Sequence, residues 1–210
     1  MVNNRIAQNG FTLIELLMTL AIASVVAAIG LPSLTEMYNK NRLTAYTNQL
    51  VSDLNLARSE AVKRGLPVAL RNFTGGGVWE DGWIVFADVS RNGVNANVFN
   101  DDGDEILCEP QEDCVLRKTD ALPQGFILGA NSKYTNFVRY DPDGTSNTNG
   151  TFAVCDNQDG SGQLSYKSKL IIINTMGRIR LGVDQIPLNH PNGIPEFDDN
   201  SELSDCSDAS

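Results

Sequence analysis

A chain of 210 residues, 41% hydrophobic and 20% charged, holds enough apolar material for one packed domain plus an extra element, which excludes a globally disordered polymer. A formal net charge of -10 repels phosphate backbones and anionic lipid head groups at long range, so nucleic-acid binding would need a local basic patch acting against the global field. Four cysteines without a C-x-x-C pair and a single histidine, His190, give no zinc-site spacing.

Met1 to Gly10 is short and polar, with Arg5 as its one positive charge. The apolar run Phe11 to Leu31 follows, and Glu15 is its one ionisable side chain. At about 1.5 Å per residue such a helix reaches about 30 Å, the thickness of a bilayer's hydrocarbon core. Two plain readings are an uncleaved anchor and a secretory signal peptide cut after Ala21-Ile22-Ala23. Glu15 argues against both, because a carboxylate in an apolar span is costly and calls for a dedicated partner.

Pro32 is expected to interrupt the helix after Gly30, by a kink or by local melting. Beyond it Leu43, Tyr46, Leu50, Val51, Leu54, Ala57 and Ala61 recur at helical spacing. Asn48, Asp53, Asn55 and Arg58 are assigned to the opposite, polar face. Gly65 and Pro67 supply a stop. One helix from Phe11 to Arg64 would be about 80 Å long. Its first half, apolar all round, suits a bilayer or a filament core. Its second half, with one apolar stripe, needs a sheet to cover it.

From Leu66 onward the pattern turns to strands: Pro67–Arg71, Gly82–Asp88, Glu105–Cys108, Phe126–Gly129, Asn136–Tyr140, Thr151–Cys155, Lys169–Ile173 and Arg178–Gly182. Turn pairs such as Asn92-Gly93, Asp102-Gly103, Asp143-Gly144, Asn149-Gly150 and Asp159-Gly160 separate them. The expected architecture is α+β, an antiparallel head laid on the C-terminal half of one long helix. Residues 183–210, rich in Pro, Asn, Asp and Ser, read as an extended surface tail. An even cysteine count downstream of a membrane segment suggests disulfides in an oxidising compartment. Three pairings are open. The favoured one joins Cys108 to Cys114 as a short loop and Cys155 to Cys206, tying down the tail.

Gly10-Phe11-Thr12-Leu13-Ile14-Glu15 resembles the type IV prepilin signature. The resemblance implies that a prepilin peptidase cuts between Gly10 and Phe11 on the cytoplasmic side, that Phe11 is N-methylated, and that the apolar segment stays on the mature subunit. Glu15 would then face the N-terminal amine of a neighbouring subunit, a pairing that makes two buried charges tolerable. Glu15 and Pro32 are thus the assembly residues. Leu56–Gly65, Gly82–Asp88 and Gly177–Arg180 resemble the GspH/FimT/FimU family of minor pilins and pseudopilins. This likeness runs from Gly10 to about Gly182, loosely over 92–110 and not over the tail. It implies the type IV pilin fold, divided into a leader (1–10), a transmembrane or filament-core helix (11–31), its amphipathic continuation (32–65), a β-rich head (66–182) and an acidic tail (183–210).

The function implied is that of a minor pilin of the FimT/FimU type. It would sit in the bacterial inner membrane with its head in the periplasm, then enter a filament near its tip and prime assembly. Its partners would be major and minor pilins or pseudopilins, the prepilin peptidase, the inner-membrane assembly platform and the lipid bilayer. A pseudopilin H of a type II secretion system and a DNA-binding minor pilin for DNA uptake are the alternatives. A secreted β domain behind a signal peptide is a third.

For the DNA alternative the candidates are Arg178 and Arg180, on one face if they lie in a strand, with Lys167 and Lys169. In some FimT-like relatives the matching Gly-Arg-x-Arg motif contacts DNA; the competing reading pairs these arginines with carboxylates of neighbouring strands or subunits. Asp88-Val89-Ser90-Arg91-Asn92-Gly93 superficially resembles a calcium loop, but Phe99 stands where a bidentate glutamate is needed. This string and Asn100–Glu105 read as turn formers, so no metal is expected. Trp79 and Trp83 read as core, His190 as solvated. Gly75-Gly76-Gly77 lacks the Lys-Ser/Thr of a phosphate loop, and no nucleophile–base pair emerges, so neither cofactor nor catalysis is expected.

Overall fold

The computed structural model describes residues 11–91, 96–100, 108, 112–157, 168–182 and 206. The expectations for Gly10, Lys167, His190, residues 105–107 and the tail apart from Cys206 lie outside the described residues. The chain divides into two compact units, Met1–Asn39 and Lys40–Ser210.

Helix α1 spans Leu13–Arg64. In the first unit its side chains through Tyr38 are exposed except for a half-buried Gly30, and its apolar window is 0% buried. The helix is continuous through Pro32, so the local melting considered there does not occur. Proline forfeits one N–H to the carbonyl four residues earlier, and the hydrogen bonds on either side carry the helix across that gap.

In the second unit Leu43, Leu50, Leu54, Ala57 and Ala61 form the buried stripe of α1. Asp53 does not sit on the polar face: it is 0% exposed and lies inside that stripe. The helix ends at Gly65, whose φ of 65° lets its N–H reach the Ala61 carbonyl at 3.0 Å.

Among the described residues eight strands follow. They are β1 (Val68–Asn72), β2 (Trp83–Ala87), β3 (Cys114–Thr119) and β4 (Phe126–Ala130). Then come β5 (Phe137–Tyr140), β6 (Gly150–Asp156), β7 (Ser168–Ile173) and β8 (Ile179–Leu181). Among the described residues these strands make two four-stranded sheets, ordered β3-β2-β1-β5 and β4-β6-β7-β8, with every pairing antiparallel. Cys108 lies in a bend, not a strand, and β3 takes a segment that turn spacing alone does not mark.

One core joins the α1 stripe to inward residues of both sheets, among them Val68, Leu70, Val85, Leu128, Phe152, Val154, Ile171 and Ile173. Trp79 and Trp83 are both 0% exposed within it. The Trp79 ring meets Phe152 edge-on at 4.9 Å and donates its indole N–H to the Tyr134 carbonyl at 2.9 Å, so its one polar atom is satisfied. Smaller clusters occupy the outer faces. Ala69, Ile84 and Phe86 pack with Phe99 on the first sheet. Ala153, Cys155, Leu170 and Ile172 pack with Cys206 on the second.

Candidate functional site

Phe11 is 83% exposed and Thr12 precedes the first helical residue. The Thr12 hydroxyl accepts the Glu15 N–H at 3.2 Å, and a Glu15 carboxylate oxygen accepts the Thr12 N–H at 3.4 Å. This reciprocal pair is a capping box, which satisfies two N–H groups that the first helical turn leaves without partners. Reading Glu15 only as a partner for another subunit misses it, although Thr-x-x-Glu before an apolar run is its sequence signature. The carboxylate is thus held at the helix start, beside the position where the backbone would end after a cut before Phe11. Pro32 lies farther along the same exposed helix.

Two polar nodes fasten the second unit's part of α1 to the sheets. The Asp53 carboxylate accepts the Trp83 indole N–H at 2.8 Å, the Thr119 hydroxyl at 2.8 Å and the Arg117 guanidinium at 2.6 Å. Gln49 donates to both of its oxygens at 3.2 and 3.3 Å. A buried carboxylate is tolerable only when its lone pairs are filled in this way.

The second node is Arg58. Its Nε donates to the Gly144 carbonyl at 2.9 Å and its Nη2 to the Met176 carbonyl at 3.0 Å. It thereby fixes the turn before β8 against the turn after β5. Gly177 completes the node: its φ is 71°, and a Cβ there would run into the Gly144 carbonyl oxygen. Ser52, Asn55, Arg58, Val62, Arg117 and Asp143 line an open groove on this side.

Arg178 follows Gly177, is exposed, and donates its N–H to the Asn174 side chain at 2.9 Å. Arg180 stands in β8 opposite Ile172 and is also exposed. Lys169 is half-buried in β7 opposite Val154, whose side chain belongs to the inner core. Pairing across the strands therefore puts Lys169 on the other face of the sheet from Arg180.

The string from Asp88 uses its oxygens on the backbone. Asp88 accepts the Asn97 N–H at 2.9 Å, while Asp113 accepts those of Ser90 and Asn100, each at 2.9 Å. Arg91 approaches Asp88 at 3.5 Å. Burial, with Asp113 adding repulsion, pushes the Asp88 carboxyl above its ordinary value despite the opposing bond from Asn97. Among the described residues no three His, Cys, Asp or Glu side chains gather as metal ligands. Cys108 is bonded to Cys114 at the start of β3, and Cys155 of β6 to Cys206.

The family model described as Type II transport protein GspH matches residues 46–177, and the prokaryotic N-terminal methylation motif matches residues 5–31. A pilin-like protein PilA1 of Thermus thermophilus is 34% identical over 99 residues, which make up 47% of this chain. The match spans 57% of that relative's own length. The crystal structure of the type IV minor pilin FimU of Pseudomonas aeruginosa is similar at a TM-score of 0.52 and 20% identity, covering 79% of this chain and 96% of that one. That likeness is one of fold: a long N-terminal helix with antiparallel sheets.

Proposed function

We propose that this chain, which belongs to the GspH family of type II transport proteins, works as a minor subunit of a type IV pilus-like filament. Minor pilins and pseudopilins are the class to which its family and fold assign it, and its methylation motif indicates processing by a prepilin peptidase. In this reading the leader is removed between Gly10 and Phe11, Phe11 is methylated, and the subunit waits in the bacterial inner membrane with its head in the periplasm. An assembly platform then moves it into a filament near the tip, where it primes addition of other pilins.

The observation that carries this reading is an apolar helix start that no described residue covers, with one carboxylate at its head. Apolar surface of that extent is stable only in lipid or against the helices of neighbouring subunits. In either setting Glu15 needs a cation, and the amine of a neighbour's Phe11 supplies one. The carboxylate then selects axial register, because a subunit out of step leaves two charges unpaired. Its capping contact with Thr12 keeps it in place until the amine arrives.

Replacing Glu15 with Ala tests this. The expected outcome is normal removal of the leader with at least a tenfold fall of the chain in sheared filament fractions. Incorporation at the wild-type level would refute the pairing role. A pseudopilin of a type II secretion system would use the same helix chemistry, and the gene neighbourhood separates the two machines. DNA uptake has the exposed Arg178 and Arg180 in its favour and the net charge of -10 against it. A gel shift comparing wild type with Arg178→Ala/Arg180→Ala decides it, equal shifts removing the idea.

A further inference from the structure

The four cysteines, all among the described residues, sit in unequal surroundings. Cys114, Cys155 and Cys206 are buried, at 4%, 2% and 8% exposure, whereas Cys108 is exposed. The Cys155–Cys206 bridge thus joins two buried residues, and the Cys108–Cys114 bridge presents one of its two to solvent. Their loops differ as well. The first bridge joins residues 51 apart in the chain and the second residues 6 apart. A shorter loop takes less freedom from the unfolded chain, so opening Cys108–Cys114 forfeits less stability. Cys108 also holds a φ of 70°, a left-handed conformation that is costly for a residue other than glycine. Opening its bridge removes a restraint that keeps it there.

The buried end of that bridge is placed to accept charge. Arg64, in the last turn of α1, points Nη1 at Cys114 Sγ from 3.7 Å, a distance suited to an N–H···S hydrogen bond. A Glu60 oxygen takes its Nε at 2.6 Å, which steadies the guanidinium without occupying Nη1. Lys63 reaches the other Glu60 oxygen at 3.3 Å. One carboxylate against two cations leaves the group net positive beside the sulfur. A neighbouring cation favours thiolate over thiol, and a thiolate of lower pKa leaves a disulfide faster. The two ends therefore divide the needs of thiol–disulfide exchange: Cys108 gives access and Cys114 gives the leaving group. The start of β3 is held without the bridge. Cys114 pairs with Ala87, and beside it Asp113 accepts the Ser90 and Asn100 N–H groups, each at 2.9 Å.

We propose that Cys108–Cys114 is a thiol-exchange site, at which an incoming thiolate attacks the exposed Cys108 sulfur and Cys114 departs as a thiolate beside Arg64. One S–S bond forms as one breaks, and the electron pair of the broken bond goes to Cys114 Sγ. A second thiolate attacking the mixed disulfide then frees Cys108. The two thiols leave as a disulfide, and their two protons end on the two cysteines. The co-reactant is a thiol, from a small molecule or from a dithiol protein. Exchange unties Cys108 from β3 while Cys155–Cys206 stays closed. It uses no residue of the N-terminal helix start, so it stands or falls apart from the filament reading.

The test uses the full-length chain in detergent without denaturant. One arm adds mercaptoethanol, and the other a reduced C-x-x-C oxidoreductase whose second cysteine is replaced by serine. Acid quenching, alkylation and peptide mass spectrometry locate each adduct. The expected result is an adduct on Cys108 with Cys114 free, formed at least tenfold faster than Cys155–Cys206 opens. Adducts in both arms assign the site to small and protein thiols alike, and an adduct in one arm alone assigns it to that source. Adducts on Cys114 in place of Cys108, equal opening of the two bridges, or no adduct in either arm would overturn the proposal. Arg64→Gln should slow the Cys108 adduct at least threefold, and Arg64→Lys, which keeps the charge, should recover most of that loss. An unchanged rate in Arg64→Gln, or an equally slow one in both variants, would overturn the role of Arg64.

Discussion

Asp53→Asn is the most informative single change in the head. It keeps the volume of a side chain that is 0% exposed and turns one acceptor oxygen into a donor amide. One carboxylate oxygen receives Trp83 and Thr119, the other Arg117, and Gln49 donates to both. Whichever way the amide turns, an N–H donor is left facing an N–H donor. Losing a hydrogen bond to a charged acceptor costs about 1.5–3 kcal/mol. Arg117 is 39% exposed, so its ionic part is screened and adds about 1 kcal/mol at most. Together these give about 3 kcal/mol, which lowers Tm by roughly 6–12 °C for a head of this size. The two tryptophans both lie in the head, so their fluorescence during thermal and urea unfolding of the full chain in detergent reports the loss. A loss below about 1 kcal/mol would refute the reasoning, because the carboxylate would then not be fastening the helix to β2 and β3.

Gly177→Ala should destabilise the head by about 2 kcal/mol or more, since it adds both positive-φ strain and a clash with the Gly144 carbonyl; wild-type unfolding would contradict the Arg58 node. Asp88→Asn should alter how stability depends on pH. The folded Asp88 value is raised, so its contribution is fully present below the unfolded value of 3.8 and is lost as pH rises through the folded value. Relative to wild type, the asparagine variant should therefore gain Tm as pH rises from about 4 and level off above the folded value, and a Tm difference that is constant with pH would count against this.

The legible parts of the sequence are those with local period. The stripe Leu43, Leu50, Leu54, Ala57 and Ala61 is buried as its spacing requires, and the Gly65 stop holds because αL geometry is a local demand. Polarity assigns Asp53 to the outer face, yet it stands three residues after Leu50 and four before Ala57, within the stripe itself. Position outweighs polarity once donors such as Trp83 and Thr119 converge on it. Strand β3, Cys-Val-Leu-Arg-Lys-Thr, is mostly half-buried at a sheet edge and shows little alternation, while the apolar Glu105–Cys108 stretch gives the stronger strand signal. The division into two sheets is illegible for another reason. Strand β4 precedes β5 in the chain but pairs with β6 in the other sheet, and such long-range pairing leaves no mark on local pattern. At the N-terminus the processing motif is plain, whereas the Thr12–Glu15 box hides behind it because the motif already gives Glu15 a role.

The central claim concerns that N-terminus. Intact-mass and N-terminal analysis of the chain expressed with a prepilin peptidase tests it most directly. The mature chain should begin at Phe11, one methyl group heavier on its amine. A chain beginning at Met1, or at Ser24 after a secretory cut, would contradict the account.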